Sequence, residues 1–130
     1  MFRTIERLAL VFIAAIIIVL IAIGIVRGAP QSGVVGTGTA LSCDEAAFDA
    51  RLAGGGLITF NCGAAPVTIT LSSEIPITAT TVISGNGLIT LSGNDATRLF
   101  NVGSGVTFSL VNLKITHGYA SFDSGGAIVS

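Results

Sequence analysis

The sequence predicts an all-β fold in which short strands stack as a β-solenoid, and three observations support this prediction. Beyond residue 56 the apolar residues come in short β-branched runs, separated by turns rich in Gly, Asn, Ser and Asp. The stretch LITLSG at 88–93 recurs loosely as LKITHG at 113–118, an offset of 25 residues that is typical of stacked repeats. Asparagine recurs beside the turns, at Asn86, Asn94, Asn101 and Asn112.

The strand-like runs follow one another without helices between them. Alternating βαβ units are therefore excluded, which leaves a sandwich, a barrel or a solenoid. The shortness of the runs and the loose repeat favour the solenoid over the other two. The predicted strands cover residues 57–60, 67–71, 75–78, 82–83, 88–91, 99–102, 106–110 and 113–116.

The N-terminal segment has a different character. Residues 8–26, LALVFIAAIIIVLIAIGIV, form an uncharged run that is long enough as a helix to span a hydrocarbon core of about 30 Å. We expect residues 1–28 to be a transmembrane anchor, with a cleaved signal peptide as the alternative. Arg3 and Arg7 precede the run and favour a cytoplasmic N-terminus. Either interpretation places the rest of the chain outside the cytoplasm, as a membrane-anchored or secreted domain.

Composition limits what the remainder of the chain can bind. Residues 29–41 are uncharged and contain Gly, Ser, Thr and Pro, which predicts a flexible linker. After residue 28 the chain has six acidic residues against three scattered basic ones. Nucleic-acid binding is excluded as a function class, because phosphate contacts require clustered lysine and arginine.

The two cysteines, Cys43 and Cys62, invite pairing in an exported domain. Such a disulfide would close a loop of about 20 residues and stabilise the fold by roughly 3 kcal/mol in the chain-entropy model. The alternative is a pair of buried free thiols. Zinc is disfavoured, because the single histidine, His117, is remote in sequence and there is no third thiol.

A short helix is predicted directly after the linker. Ser42 and Glu45 have the spacing of a capping box, so each side chain would bind the other's backbone amide. Phe48 and Leu52 then lie four residues apart and give the helix one apolar face. The glycines at 54–56 end the helix, which is too short to be stable without a surface to cover.

These stretches resemble a known family. CDEAAFDARLAGGGLITFNCG at 43–63, the stretch from ITLSSE to KITHG at 69–118, and GGAI at 125–128 resemble bacterial right-handed parallel β-helix repeat proteins of the polymorphic outer-membrane and adhesin-like kind. The F-x-x-N signature that accompanies GGAI in this family is not present as such. The resemblance covers residues 43–130, and it implies a right-handed parallel β-helix.

The resemblance also implies a domain organisation. Residues 42–62 would form an N-terminal cap, which hides the apolar end and the unpaired edge of the first coil. At about 25 residues per coil, the rest of the 42–130 domain makes two to three coils. SGGAIVS at the C-terminus has the pattern of a new strand, so we expect the domain to be truncated there.

Few residues are candidates for chemistry. Asp95 and Arg98 are interpreted as a solvated surface pair, and Asp123 as a turn residue. Lys114 has no carboxylate cluster nearby in sequence, and His117, the one candidate general base, has no evident nucleophile beside it. The sequence therefore predicts no catalytic, cofactor-binding or metal-binding residue, and no cofactor.

The leading functional hypothesis is a non-enzymatic extracellular or cell-surface module with an adhesion, display or structural role. It follows from the family resemblance and not from an identified site. Its expected partners are the membrane, through the N-terminal helix, and an unidentified surface glycan or protein. The alternatives are the N-terminal part of a carbohydrate-active β-helix enzyme, such as a polysaccharide lyase or hydrolase, and a nonfunctional fragment.

Overall fold

The computed structural model describes residues 32–121 and 126–130. The described chain begins with strand β1 (Gly33–Val35), a 3₁₀ turn (Ala40–Ser42) and helix α1 (Glu45–Leu52). Nine short strands follow: β2 (Gly56–Phe60), β3 (Val67–Thr70), β4 (Ile75–Ile77), β5 (Thr81–Ser84), β6 (Ile89–Ser92), β7 (Phe100–Val102), β8 (Phe108–Val111), β9 (Lys114–Thr116) and β10 (Ile128–Val129).

The strands form three parallel sheets. The first sheet has the order β1-β2-β5-β8, the second β4-β7-β10 and the third β3-β6-β9. Strands that follow each other in sequence after β2 lie in different sheets, so each pairing joins distant segments. The offset between paired residues runs from 22, for Val67 with Ile89, to 28, for Phe100 with Ile128.

This architecture corrects the predicted fold class. The right-handed parallel β-helix of two to three coils is wrong, because the structure has three separate short sheets and not a clear β-helix. The strands are only two to five residues long, and turns with left-handed backbone, such as those at Asn94 and His117, follow them. Each ladder of hydrogen bonds is therefore interrupted after a few residues, and the strands pair within separate sheets.

The predicted transmembrane helix has no counterpart in the part of the chain that the structure describes. None of the helices there is long and apolar enough to cross a membrane. The apolar run at 8–26, on which the prediction rested, lies outside the described residues. Within the stretch predicted as a flexible linker, residues 33–35 form strand β1, because Gly33, Val34 and Val35 pair with Ile58, Thr59 and Phe60 of β2.

Helix α1 begins two positions later than a capping box at Ser42 requires. Asp44 is its N-cap, and the Asp44 carboxylate accepts a hydrogen bond of 2.8 Å from the backbone N–H of Ala47. The Ser42 hydroxyl instead accepts from the N–H of Thr37 and donates to the carbonyl of Thr39. A carboxylate at the N-cap also suits the positive end of the helix dipole.

The core lies between the sheets, and α1 covers one end of it. Phe48 and Leu52 of α1 are buried, as the i, i+4 spacing predicts. The Phe48 ring stacks on Phe60 at 5.8 Å between centroids and meets the edge of Phe100 at 6.5 Å. The helix therefore closes the core at the end where β1, β3 and β4 form the sheet edges.

At the opposite end the core is less well covered. Leu110 and Ile115 are half-buried, whereas their register partners in the preceding strands, Ile83 and Leu91, have 0% exposure. Ile128 of β10 is likewise half-buried, although its partner Phe100 is fully buried. We call the end formed by β8, β9 and β10 the open end.

Candidate functional site

A disulfide ties the segment before α1 to the segment after β2. Cys43 and Cys62 are bonded, with their Cα atoms 5.7 Å apart and 4% and 6% of their surfaces exposed. The bond joins the two ends of a segment that contains α1 and β2. It therefore holds the covering helix against the first sheet.

The candidate functional site is a groove between α1 and the start of β4, which we call the α1 groove. It encloses about 260 Å³. Polar groups come from α1 and from the segment around β4, at Asp49, Ser73, Glu74 and Thr78. The rest of the lining consists of apolar side chains, from Leu52, Ala53, Ile75 and Pro76.

Glu74 is held in place by two residues from the neighbouring segment. Arg98 Nε lies 2.9 Å from Glu74 Oε2, and Asn101 Nδ2 donates a hydrogen bond of 3.1 Å to Glu74 Oε1. The Arg98 contact is an ion pair and not an aligned hydrogen bond, because Arg98 Nε is buried without a hydrogen-bond partner. Both carboxylate oxygens of Glu74 are therefore engaged.

This pairing replaces the predicted surface pair of Asp95 and Arg98. In sequence, Glu74 lies far before Arg98, and nothing in the local pattern connects them. The parallel register of β4 and β7 sets Ile75 beside Phe100, which brings the residues just before those strands together. Only the sheet pairing could therefore reveal the true partner of Arg98.

A second carboxylate anchors α1 to the end of β3. Glu45 Oε1 accepts hydrogen bonds from the backbone N–H of Ser72, at 2.6 Å, and from the Ser72 hydroxyl, at 2.9 Å. Ser72 is 27 residues away in sequence. This contact fixes the side of the helix that faces the α1 groove, since Glu45 and Asp49 are one helical turn apart.

Asp49 is the carboxylate of the groove that has no cation beside it. Asp49 is an exposed residue, yet burial of part of its carboxyl group raises the pKa of Asp49 above its ordinary value, and the nearby charge of Glu45 raises the same pKa further. Among the described residues, no arginine or lysine lies within ion-pair distance of Asp49. Arg51, on the same helix, instead packs beside Gly33 of β1.

The structure does not bring the other candidate residues of the sequence together into a site. Asp95 and His117 are exposed turn residues with left-handed backbone, and Lys114 is exposed on β9. The His117 Nδ1 atom is 2.8 Å from the Thr116 hydroxyl, a contact between sequence neighbours. Asp123 lies outside the described residues. Among residues 32–121 and 126–130, no group of three or more His, Cys, Asp or Glu is placed to hold a metal ion.

The sequence pattern does not predict the α1 groove. Asp49 reads as an ordinary solvated residue of a helix, and Glu74 as a charge between two strands. They line one groove because α1 lies across the edge where β4 begins. A weak signal was available: Asp49 and Leu52 lie three residues apart, so one face of the helix carries both a carboxylate and an apolar side chain.

Comparisons with known proteins add no relative. No family model matches the chain, no curated protein matches its sequence, and no solved structure matches its coordinates. The resemblance to bacterial repeat proteins therefore stays an expectation from the sequence.

Proposed function

We propose that the chain is a non-enzymatic module that works outside the cytoplasm in adhesion, display or structural support. The observation that carries the proposal is the disulfide between Cys43 and Cys62, which is buried and closes the helix-covered end of the core. Disulfides of this structural kind form and persist in oxidising compartments and are rare in reducing ones.

The outward face of the third sheet also supports an exposed, structural role. Thr70, Ser92 and Thr116 are register partners across β3, β6 and β9, and of the three Thr70 is exposed, Thr116 is half-buried and Ser92 is buried. Thr68 and Thr90 form a second row beside the first, and the exposed Lys114 continues this row on β9. A face of hydroxyl groups with little charge is stable in water without needing a tightly bound partner.

Whether Cys43 and Cys62 are oxidised in the producing cell tests the proposed location outside the cytoplasm. Cells are quenched with acid, and the full chain is treated with a maleimide–polyethylene glycol reagent before and after reduction. We expect no mass increase before reduction and two additions after it. Two additions before reduction would contradict the proposal, because they would show that the native protein is not oxidised. A Cys43→Ser variant, which leaves one free thiol, calibrates the size of a single addition.

A direct assay tests the absence of catalysis. The chain is incubated with pectin or alginate, and new unsaturated or reducing ends are measured. We expect no product above that of a heat-denatured control. Product formation that is lost in an Asp49→Asn or Glu74→Gln variant would overturn the non-enzymatic proposal and assign a polysaccharide-cleaving role to the α1 groove.

A further inference from the structure

The α1 groove has a lining that is complementary to one kind of chemical group. We propose that it binds the side chain of a lysine from a partner polypeptide, with the ammonium group beside Asp49 and the aliphatic stem along Leu52, Ile75 and Pro76. This inference rests on the proposed adhesion role, for which it supplies a ligand class.

The charges around the groove carry the first step of the argument. The carboxylates of Asp49 and Glu74 line the groove, and that of Glu45 lies beside Asp49. Among the described residues, the one cation in an ion pair with any of them is Arg98, which pairs with Glu74. Arg98 is already occupied by Glu74. The groove therefore keeps an excess of negative charge, and a cation is the ligand that this charge favours.

The partners of each carboxylate identify Asp49 as the contact point. Glu74 is engaged by Arg98 and Asn101, and Glu45 by the N–H and hydroxyl of Ser72. Asp49 has no such partner in the described part of the chain. Its raised pKa has the same origin, since partial burial and the Glu45 charge both disfavour its ionised form. A bound ammonium group would favour the ionised form of Asp49 and so oppose both effects.

The apolar lining and the size of the groove favour a single side chain. Leu52 and Ile75 are held in the core with 8% of their surfaces exposed, and Pro76 beside them is exposed, so the apolar part of the lining is small and fixed. The volume of about 260 Å³ is below the roughly 300–1,000 Å³ of sites for drug-sized ligands. Lysine combines an aliphatic stem with a terminal cation, and its stem packs well along apolar surface.

The hydroxyl groups of Ser73 and Thr78 complete the match. Both residues line the groove and are exposed, so their oxygens are free to accept. An ammonium group has three N–H donors and no acceptor, which suits one carboxylate with additional hydroxyl oxygens.

The test compares two matched ligands on the full 130-residue chain. Nα-acetyl-lysine N-methylamide and the norleucine analogue share the aliphatic stem, but only the first has the ammonium group. In non-ionic detergent, backbone ¹H–¹⁵N shifts of Asp49, Leu52, Ser73 and Thr78 are followed during titration. We expect saturable shifts with a dissociation constant in the millimolar range for the lysine compound, and binding at least about fivefold weaker for norleucine.

Substitutions complete the design. Asp49→Asn is expected to weaken the lysine compound about fivefold without affecting the norleucine compound, whereas Asp95→Asn, the same change at an exposed turn, should leave both unchanged. Raised salt should weaken binding to the unsubstituted chain.

Equal binding of the two compounds, lysine binding that survives Asp49→Asn, or shifts produced by a neutral sugar alone would each overturn the proposal. None of these results bears on the thiol labelling, so the failure of this inference and that of the proposed function are distinguishable.

Discussion

At the scale of single residues, the turn asparagines have a backbone role. Asn86, Asn94 and Asn112 have φ angles of 53°, 53° and 49°, in the left-handed region that asparagine tolerates better than most residues. Their places beside turns agree with the sequence pattern. The backbone angle is sufficient to explain asparagine at these positions.

Two glycines that look alike in sequence differ in their surroundings. Gly93 follows a serine in SGND and is approached by the carbonyl oxygens of Thr97 and His117, the latter 2.7 Å from the position of an added Cβ. Gly87 ends SGNG with a φ of +74° and has nothing within 4 Å of that position. Gly93 is therefore required by close packing, and Gly87 only by its backbone angle.

We expect Gly93→Ala to cost about 2–3 kcal/mol of unfolding free energy, because the methyl group would overlap two backbone carbonyls. Gly87→Ala should cost about 1 kcal/mol, the penalty of a left-handed backbone for an L residue. Urea unfolding of both variants measures the difference. A Gly93→Ala variant as stable as Gly87→Ala would show that the carbonyls move away easily.

Asp49 provides a prediction about pH. The folded-state pKa of Asp49 is raised above its unfolded value, so its contribution to stability is greatest at acid pH and is lost as the pH rises through the folded pKa. At pH 7 the charged Asp49 therefore destabilises the fold. Asp49→Asn should increase stability by about 0.3 kcal/mol at neutral pH, the size of a like-charge i, i+4 repulsion.

The stability gain expected from Asp49→Asn at neutral pH is controlled by repeating the comparison at acid pH. Near about pH 3, where Asp49 is largely protonated in both states, the variant and the original chain should be equally stable. Urea unfolding at the two pH values gives the comparison, with Asp95→Asn as the matched substitution at a turn. A loss of stability at pH 7 in Asp49→Asn would contradict the assigned direction of the pKa shift.

At the scale of elements, α1 is held by contacts at both of its ends. Asp44 caps its N-terminus, Glu45 binds Ser72 beyond β3, and Phe48 and Leu52 are buried against the core. The helix has only eight residues, a length at which an isolated helix is not stable in water. Its position, and with it the α1 groove, therefore depends on these tertiary contacts.

We expect Glu45→Ala to lower the free energy of unfolding by about 1 kcal/mol. The loss of two hydrogen bonds to a charged acceptor exceeds the small gain from removing the repulsion with Asp49. Glu45→Gln keeps a carbonyl oxygen for Ser72 and should lose less than half as much. Chemical unfolding of the three chains measures both changes. Equal losses for Ala and Gln would show that the Ser72 contact contributes little.

At the scale of the whole molecule, burial falls from one end of the core to the other. α1 and the disulfide cover the first end, and the apolar residues of β8, β9 and β10 at the open end remain half-buried. The cavity at the open end, about 410 Å³, is lined by side chains of this kind, including Phe108, Leu110 and Ile128. Equivalent positions should therefore contribute unequally to stability.

A pair of register partners tests this gradient. Leu91 has 0% exposure, whereas its partner Ile115 on β9 is half-buried. We expect Leu91→Ala to cost about 3–4 kcal/mol and Ile115→Ala about half as much, because a partly exposed side chain loses less burial and leaves a smaller cavity. Thermal and urea unfolding report both values. Equal costs would indicate that the open end is covered in solution.

The internal repeat shows how far sequence patterns reach. Aligning LITLSG with LKITHG matches Leu88 to Leu113, whereas the sheet pairs Thr90 with Lys114 and thus matches Leu113 to Ile89. The two alignments differ by one residue, which exchanges the inward and outward faces of a strand. Strand positions were predictable from β-branched runs to within about two residues, but the register required the core.

The sequence by itself determined which segments beyond residue 56 become strands, where the turns between them fall, which two cysteines are available to pair, and which face of the helix is apolar. These are local properties, set by β-branching, backbone preference and helical spacing. The sequence did not predict strand β1, which lies in the stretch predicted as a linker. Only the tertiary structure decided that the strands form three separate short parallel sheets, that Arg98 pairs with Glu74, and that Asp49 lines the α1 groove with no described cation beside its carboxylate. Those features join residues that are distant in sequence. The contacts between these residues form only when the strands pair in one register.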